Sequence, residues 1–180
     1  MKPFAVKVAF RITQSPVMKP FLTVVALAAL TCASTSAMAQ NADQIARVRS
    51  GSSCAGCNLF QASLSGLEAR GLNLTGARLR QADLSLAVMN RTRFSNADLR
   101  DVEAYGGVFS SANFSGANLT NASFVGAYLD GAAFSGATLN GANFSGASLE
   151  RATGLSQSRL NAACGDEATK LPAGLTLPRC

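Results

Sequence analysis

The chain has no histidine, so the usual base of serine and cysteine nucleophiles and the commonest zinc ligand are both missing. It has no phosphate-binding glycine loop, because its glycines follow another rule, described below. Its apolar run from Phe21 to Leu30 is ten residues with Thr23 inside it, too short to cross a bilayer. Only 14% of the residues are charged. Carboxylates such as Asp83, Asp98, Asp101, Glu103 and Asp130 are read as surface groups, with nothing to exclude water from them. Catalysis therefore has little to work with, and the sequence is read as that of a protein that is not an enzyme and needs no cofactor.

What is present is a period of five. From Leu59 to Leu149, nineteen consecutive fifth positions hold ten Leu, six Phe, one Met and two Ala. Two places before each centre, from Cys57 to Ala152, fourteen of twenty residues are Ala. Five residues match neither a helix nor a flat strand, since both would carry successive centres to different faces. The chain must turn. If each pentapeptide is one short extended side of a coil, the centre and the residue two before it point inward, and their neighbours point to solvent. The next position is a corner, and it is glycine in ten repeats, among them Gly66, Gly116, Gly126, Gly136 and Gly146.

Ala82-Asp83-Leu84, Ala97-Asp98-Leu99, Ala117-Asn118-Leu119 and Ala142-Asn143-Phe144 follow A-[DN]-[LF]-x-x letter for letter. In this the stretch 57–156 resembles the pentapeptide-repeat family. The resemblance implies an all-β fold, a right-handed quadrilateral β-helix with four pentapeptides per coil. About five coils would then stack to roughly 24 Å at ~4.8 Å each. Residues twenty apart would share a column, such as Leu59, Leu79, Leu99, Leu119 and Leu139, or Phe94, Phe114 and Phe134. Leu67, Leu72, Thr92, Val102 and Gly107 replace the small inward Ala, and Ala69 and Ala104 replace the centre. Local bulging is expected in coils one to three, and the most regular geometry from Phe109 onward.

Residues 1–39 read as a signal peptide. Met18-Lys19-Pro20 gives a basic start and Ala37-Met38-Ala39 a cleavage site before Gln40. Met18 is a second candidate start, since it gives a leader of ordinary length. A lipid anchor on Cys32 is the rival reading, but Thr31 stands where a small residue is wanted. Cleavage would remove Lys2, Lys7, Arg11 and Lys19 and leave twelve basic against ten acidic residues, a formal +2. The basic balance of the whole chain therefore gives no reason to expect nucleic acid. The expected location is the periplasm of a Gram-negative bacterium, or secretion from it, with no membrane span after cleavage.

Four cysteines would remain, Cys54, Cys57, Cys164 and Cys180, and an even number in an exported chain points to disulfides. Cys54 with Cys57 and Cys164 with Cys180 is the preferred pairing of three. The Cys164 to Cys180 segment also resembles the tail of exported proteobacterial members of the family. Residues 40–56 are expected to cap the start, with a short amphipathic helix over Ala42 to Arg49. Residues 157–180 are expected to cap the end, with Ser156 to Ala163 as a helix whose N-cap is Ser156. Open coil edges need such covers.

Cys54-Ala55-Gly56-Cys57 also has the spacing of a redox dithiol or half a zinc site, but no second pair accompanies it, and Asn58 stands where haem attachment needs His. Arg78, Arg80, Arg91, Arg93 and Arg100 fall within about one coil. They read either as a solvated mixed face, with Asp98, Asp83 and Glu103 nearby, or as a patch for an anionic partner. The leading expectation is a non-catalytic binding or structural module for an unidentified protein or anionic surface, as a monomer or an end-to-end dimer. The resemblance supplies one alternative, a DNA-mimicking protein that interacts with gyrase, which the export signal and near-neutral mature charge oppose. The other is a periplasmic thiol oxidoreductase working through Cys54 and Cys57.

Overall fold

The computed structural model describes residues 41–180, so the leader 1–39 and Cys32 lie outside it. Two short helices flank the repeats. The first, α1 (Ala42–Arg49), spans the amphipathic stretch; the Asn41 side chain accepts from Gln44 N, and Ile45 and Val48 are buried. The second, α2 (Gln157–Leu160), is shorter than Ser156 to Ala163. Ser156 occupies its N-cap position without a side-chain capping bond. Its hydroxyl instead accepts from Arg159 Nε at 3.1 Å.

Between them the chain coils with a register of twenty. Asn58 pairs with Arg78 in parallel, Ser63 with Asp83, Glu68 with Val88, Asn73 with Arg93, and so on without a break to Ala133 with Thr153. Each side is so short that it contributes one bridge and then turns. Four pentapeptides therefore make one circuit with four sides, here called first to fourth, with centres Leu59, Leu64, Ala69 and Leu74 and their successors twenty residues on. Every centre from Leu59 to Leu149 is buried, and so are the small residues two before each, apart from the partly buried Leu67. Apart from Thr92 the repeat core is apolar, with rings stacked along the columns: Phe94 on Phe114 at 5.0 Å, Phe114 on Phe134 at 5.3 Å and Phe124 on Phe144 at 5.7 Å.

The asparagines and aspartates before the centres explain the motif. Their Oδ1 accepts the backbone N–H two residues on, as in Asn73 to Thr75, Asp83 to Ser85 and Asn113 to Ser115, and so caps the turn that follows. At the corner itself φ is positive: glycine holds it at Gly66 (66°), but Leu86 holds it too (58°).

The ladder runs through coils one to three unbroken, and the irregularity expected there is confined to the turns, where Leu67, Thr92, Val102 and Gly107 N donate to the carbonyl three residues before at 3.2, 3.3, 3.4 and 3.2 Å. Two of the departures exchange volume within a single repeat: Leu67 with Ala69 and Val102 with Ala104 each put the large residue two places early. At Gly107 a Cβ would lie 2.5 Å from the ring of Phe109, so only glycine leaves the ring its space. From Ala112 to Ala152 the same turn bond is 2.9 to 3.0 Å in every repeat, so the geometry is most regular from Phe109 onward, and the offset changes only where the tail takes over. Asn143 pairs with Cys164 and Ser148 with Lys170, offsets longer than twenty, because the tail rather than another full circuit covers the last coil.

Candidate binding surface

The five arginines singled out in the sequence do not share one side. Arg78, Arg80 and Arg100 stand on the first side; Arg93 is on the fourth, and Arg91 is at the corner between the third and fourth. Two of them are already paired. Arg80 Nε lies 3.3 Å from Asp101 Oδ2. Arg100 donates to both oxygens of Asp98, at 2.7 and 2.6 Å. Stacked in register, Arg80 and Arg100 thus turn to different carboxylates instead of facing each other. Asp98 sits beside Arg78 on the ladder, but its carboxylate is held by Arg100, whose hydrogen bonds pull its pKa below the ordinary 3.8 and raise that of Arg100 in turn. The first side is mixed in charge and largely compensated.

The sulfurs of Cys54 and Cys57 lie at disulfide distance, as do those of Cys164 and Cys180. Both pairs sit at the ends of the solenoid. Cys54 N and Gly56 N donate to Asn73 O and Thr75 O of the first coil. Cys164 N donates to Ala142 O in the last. At that end Asp166 accepts from Gly146 N at 2.8 Å, and this backbone bond holds its carboxyl below the usual range.

Sequence reasoning missed the third side. One of its outward columns is Glu68, Val88, Val108, Tyr128 and Ser148, so three apolar residues stack where the other sides show mainly Ser, Asn, Asp and Arg. Leu86 at the preceding corner is 59% exposed and leans over Gly106, while Tyr128 and, on the second side, Tyr105 are each 58% exposed. The other outward column is Arg70, Asn90, Ser110, Asp130 and Glu150, positive at one end and negative at the other. Arg70, Asn90 and Ser110, with Arg91 and Ser111 of the corner, line a shallow groove of about 270 Å³. The signal was in the sequence, since the period of twenty alone brings Val88, Val108 and Tyr128 together.

Among solved structures, the chain is similar to a trypsin-treated form of QnrB1, a plasmid-mediated fluoroquinolone resistance protein, at 23% identity and a TM-score of 0.38, covering 68% of this chain and 65% of that one. It is similar to the pentapeptide repeat protein Rfr23 from the cyanobacterium Cyanothece 51142, at 24% identity and a TM-score of 0.35 over 72% and 97% of the two chains. A third is a pentapeptide repeat protein of the Arabidopsis thaliana thylakoid lumen, at 23% identity and a TM-score of 0.31 over 54% and 68%. No curated protein matches the chain. The family model for pentapeptide repeats matches in eight copies over residues 52–91, 70–103 and 112–153. Those segments cover more than half of the sequence and coincide with the coil of twenty-residue register, and the chain belongs to the pentapeptide-repeat family.

Proposed function

We propose that this protein is an exported, non-catalytic binding or structural module, built as a right-handed quadrilateral β-helix of about five coils. The observation that carries this reading is the division of the repeats into a filled apolar interior and outward ladders of short polar side chains. Flat ladders suit recognition of a partner surface better than enclosure of a substrate. Export is supported by the sequence of residues 1–39 and by two cysteine pairs at disulfide distance, which persist in an oxidising compartment. The expected location is periplasmic or secreted. Twelve basic and ten acidic residues beyond the leader leave the surface mixed, which gives a DNA-mimicking role no support.

The test is mass spectrometry of the protein from the periplasm of its own host, intact and after alkylation without reduction. A mass beginning at Gln40 with no alkylated cysteine is expected. A retained leader in the cytosol, or free Cys54 and Cys57 that exchange with a model disulfide, would overturn the export reading and direct attention to gyrase or thiol-exchange assays.

A further inference from the structure

We propose that the third side of the solenoid is a self-association surface, on which a second copy of this chain docks side by side and antiparallel. A two-fold axis lying in the plane of that side, across the stacking direction at the level of Val108 and Ser110, lays each outward column on its own copy in reverse order. Val108 then meets Val108 of the second copy, and Val88 meets Tyr128. Arg70 meets Glu150, and Asn90 meets Asp130. The relief agrees as well, because the projecting Leu86 and Arg91 come opposite the corner glycines Gly126 and Gly131. A parallel two-fold instead sets Val88 on Asn90, Val108 on Ser110 and Tyr128 on Asp130, burying apolar against polar groups at each level.

Charge selects the occupant. Arg70 and Arg91 make no ion pair among the described residues, and they flank the groove of about 270 Å³ into which the antiparallel pair brings the carboxylates of Asp130 and Glu150. Within one copy the partly buried Asp130 holds Arg151 at 3.2 Å and accepts from Ser148 Oγ at 3.2 Å, and Glu150 lies 3.9 Å from Lys170; both cations are largely exposed and can exchange partners at little cost. The coil ends are occupied by α1 and the tail, so the flat sides are what remains for a second copy. A side about 24 Å tall and roughly 16 Å wide covers on the order of 400 Å² per copy, which places the pair among weak, reversible associations. Where the protein resides does not enter.

The test is sedimentation equilibrium on the chain as purified from its host, as a concentration series at low and at high salt. A monomer–dimer equilibrium is expected, weakened by salt. Val108→Arg, on the two-fold, should abolish the dimer, while Arg70→Glu and Glu150→Arg should each weaken it at least tenfold. The double variant R70E/E150R should return to within about threefold of the parent, because the pair is restored with its sign exchanged. All these positions point outward, and an unchanged melting temperature verifies that each variant is folded. A monomer at every concentration, a dimer indifferent to Val108→Arg, or no recovery in the double variant would overturn the proposal. So would a monomer whose Arg70 and Arg91 saturably bind inorganic phosphate, which would assign the groove to a small anion.

Discussion

Thr92 occupies an inward position among hydrocarbon, and its Oγ1 is buried with no hydrogen-bond partner among the described residues. A buried hydroxyl that has given up water without a replacement costs about 1–3 kcal/mol. Thr92→Val keeps the shape and removes the orphan, and should raise stability by about 1–2 kcal/mol. The urea midpoint measures it; a fall would show that the hydroxyl has a partner. Asp98 makes two kinds of bond: its Oδ1 caps the turn at Arg100 N, and its carboxylate binds the Arg100 guanidinium. Because its folded pKa lies below the ordinary 3.8, its contribution is complete above that value and is lost as the pH falls through the folded one. Asp98→Asn keeps the turn acceptor and removes the charge. It should cost less than about 1 kcal/mol at pH 7 and nothing in strong acid, so the two stability curves converge as the carboxyl protonates. Constant separation down to the lowest pH would contradict the assignment.

At the scale of the element, the phenylalanine columns distinguish the later coils from the earlier ones. Phe114 lies between Phe94 and Phe134 and meets Phe109 and Phe124 edge to face at 6.1 and 5.8 Å. Phe114→Ala should cost about 3–5 kcal/mol in chemical denaturation. Phe114→Leu should cost distinctly less, since leucine fills the same inward position in Leu119 and Leu139. Equal losses would mean that ring stacking, not volume, holds the column. The interior was legible because the period of five assigns inside and outside with no knowledge of neighbours. The volume exchanges of Leu67 with Ala69 and Val102 with Ala104 were visible as departures, but that they cancel depends on packing between adjacent columns. The surface was less legible. Which carboxylate Arg80 or Arg100 takes is settled by side-chain reach among several charges, and the Val88, Val108, Tyr128 column emerges only when the sequence is written in rows of twenty.

At the scale of the whole solenoid, stability depends on how the ends are closed. Arg49 donates to Ser63 O at 3.0 and 2.6 Å, and Gln44 Oε1 accepts from Asn58 N at 2.6 Å, so α1 satisfies edge groups of the first coil. At the other end Thr169 Oγ1 donates to Phe144 O at 2.9 Å, Lys170 N donates to Ala147 O, and the Cys164–Cys180 pair, sixteen residues apart, ties the tail in place. Cys164→Ser should therefore lower stability by about 2–4 kcal/mol and also promote association that grows with concentration, as the freed tail uncovers backbone groups of the last coil. Light scattering with a melting curve separates the two effects; loss of stability without association would limit the tail to the first role. The register of twenty has one more consequence. Inserting or deleting five residues leaves every inward residue inward, yet it moves all that follows by a quarter circuit. A single repeat lost between Val108 and Tyr128 would carry Tyr128 to the second side and leave the interior pattern intact. Interior and exterior thus obey different arithmetic: five decides whether a side chain faces in or out, and twenty decides which side chains are its neighbours.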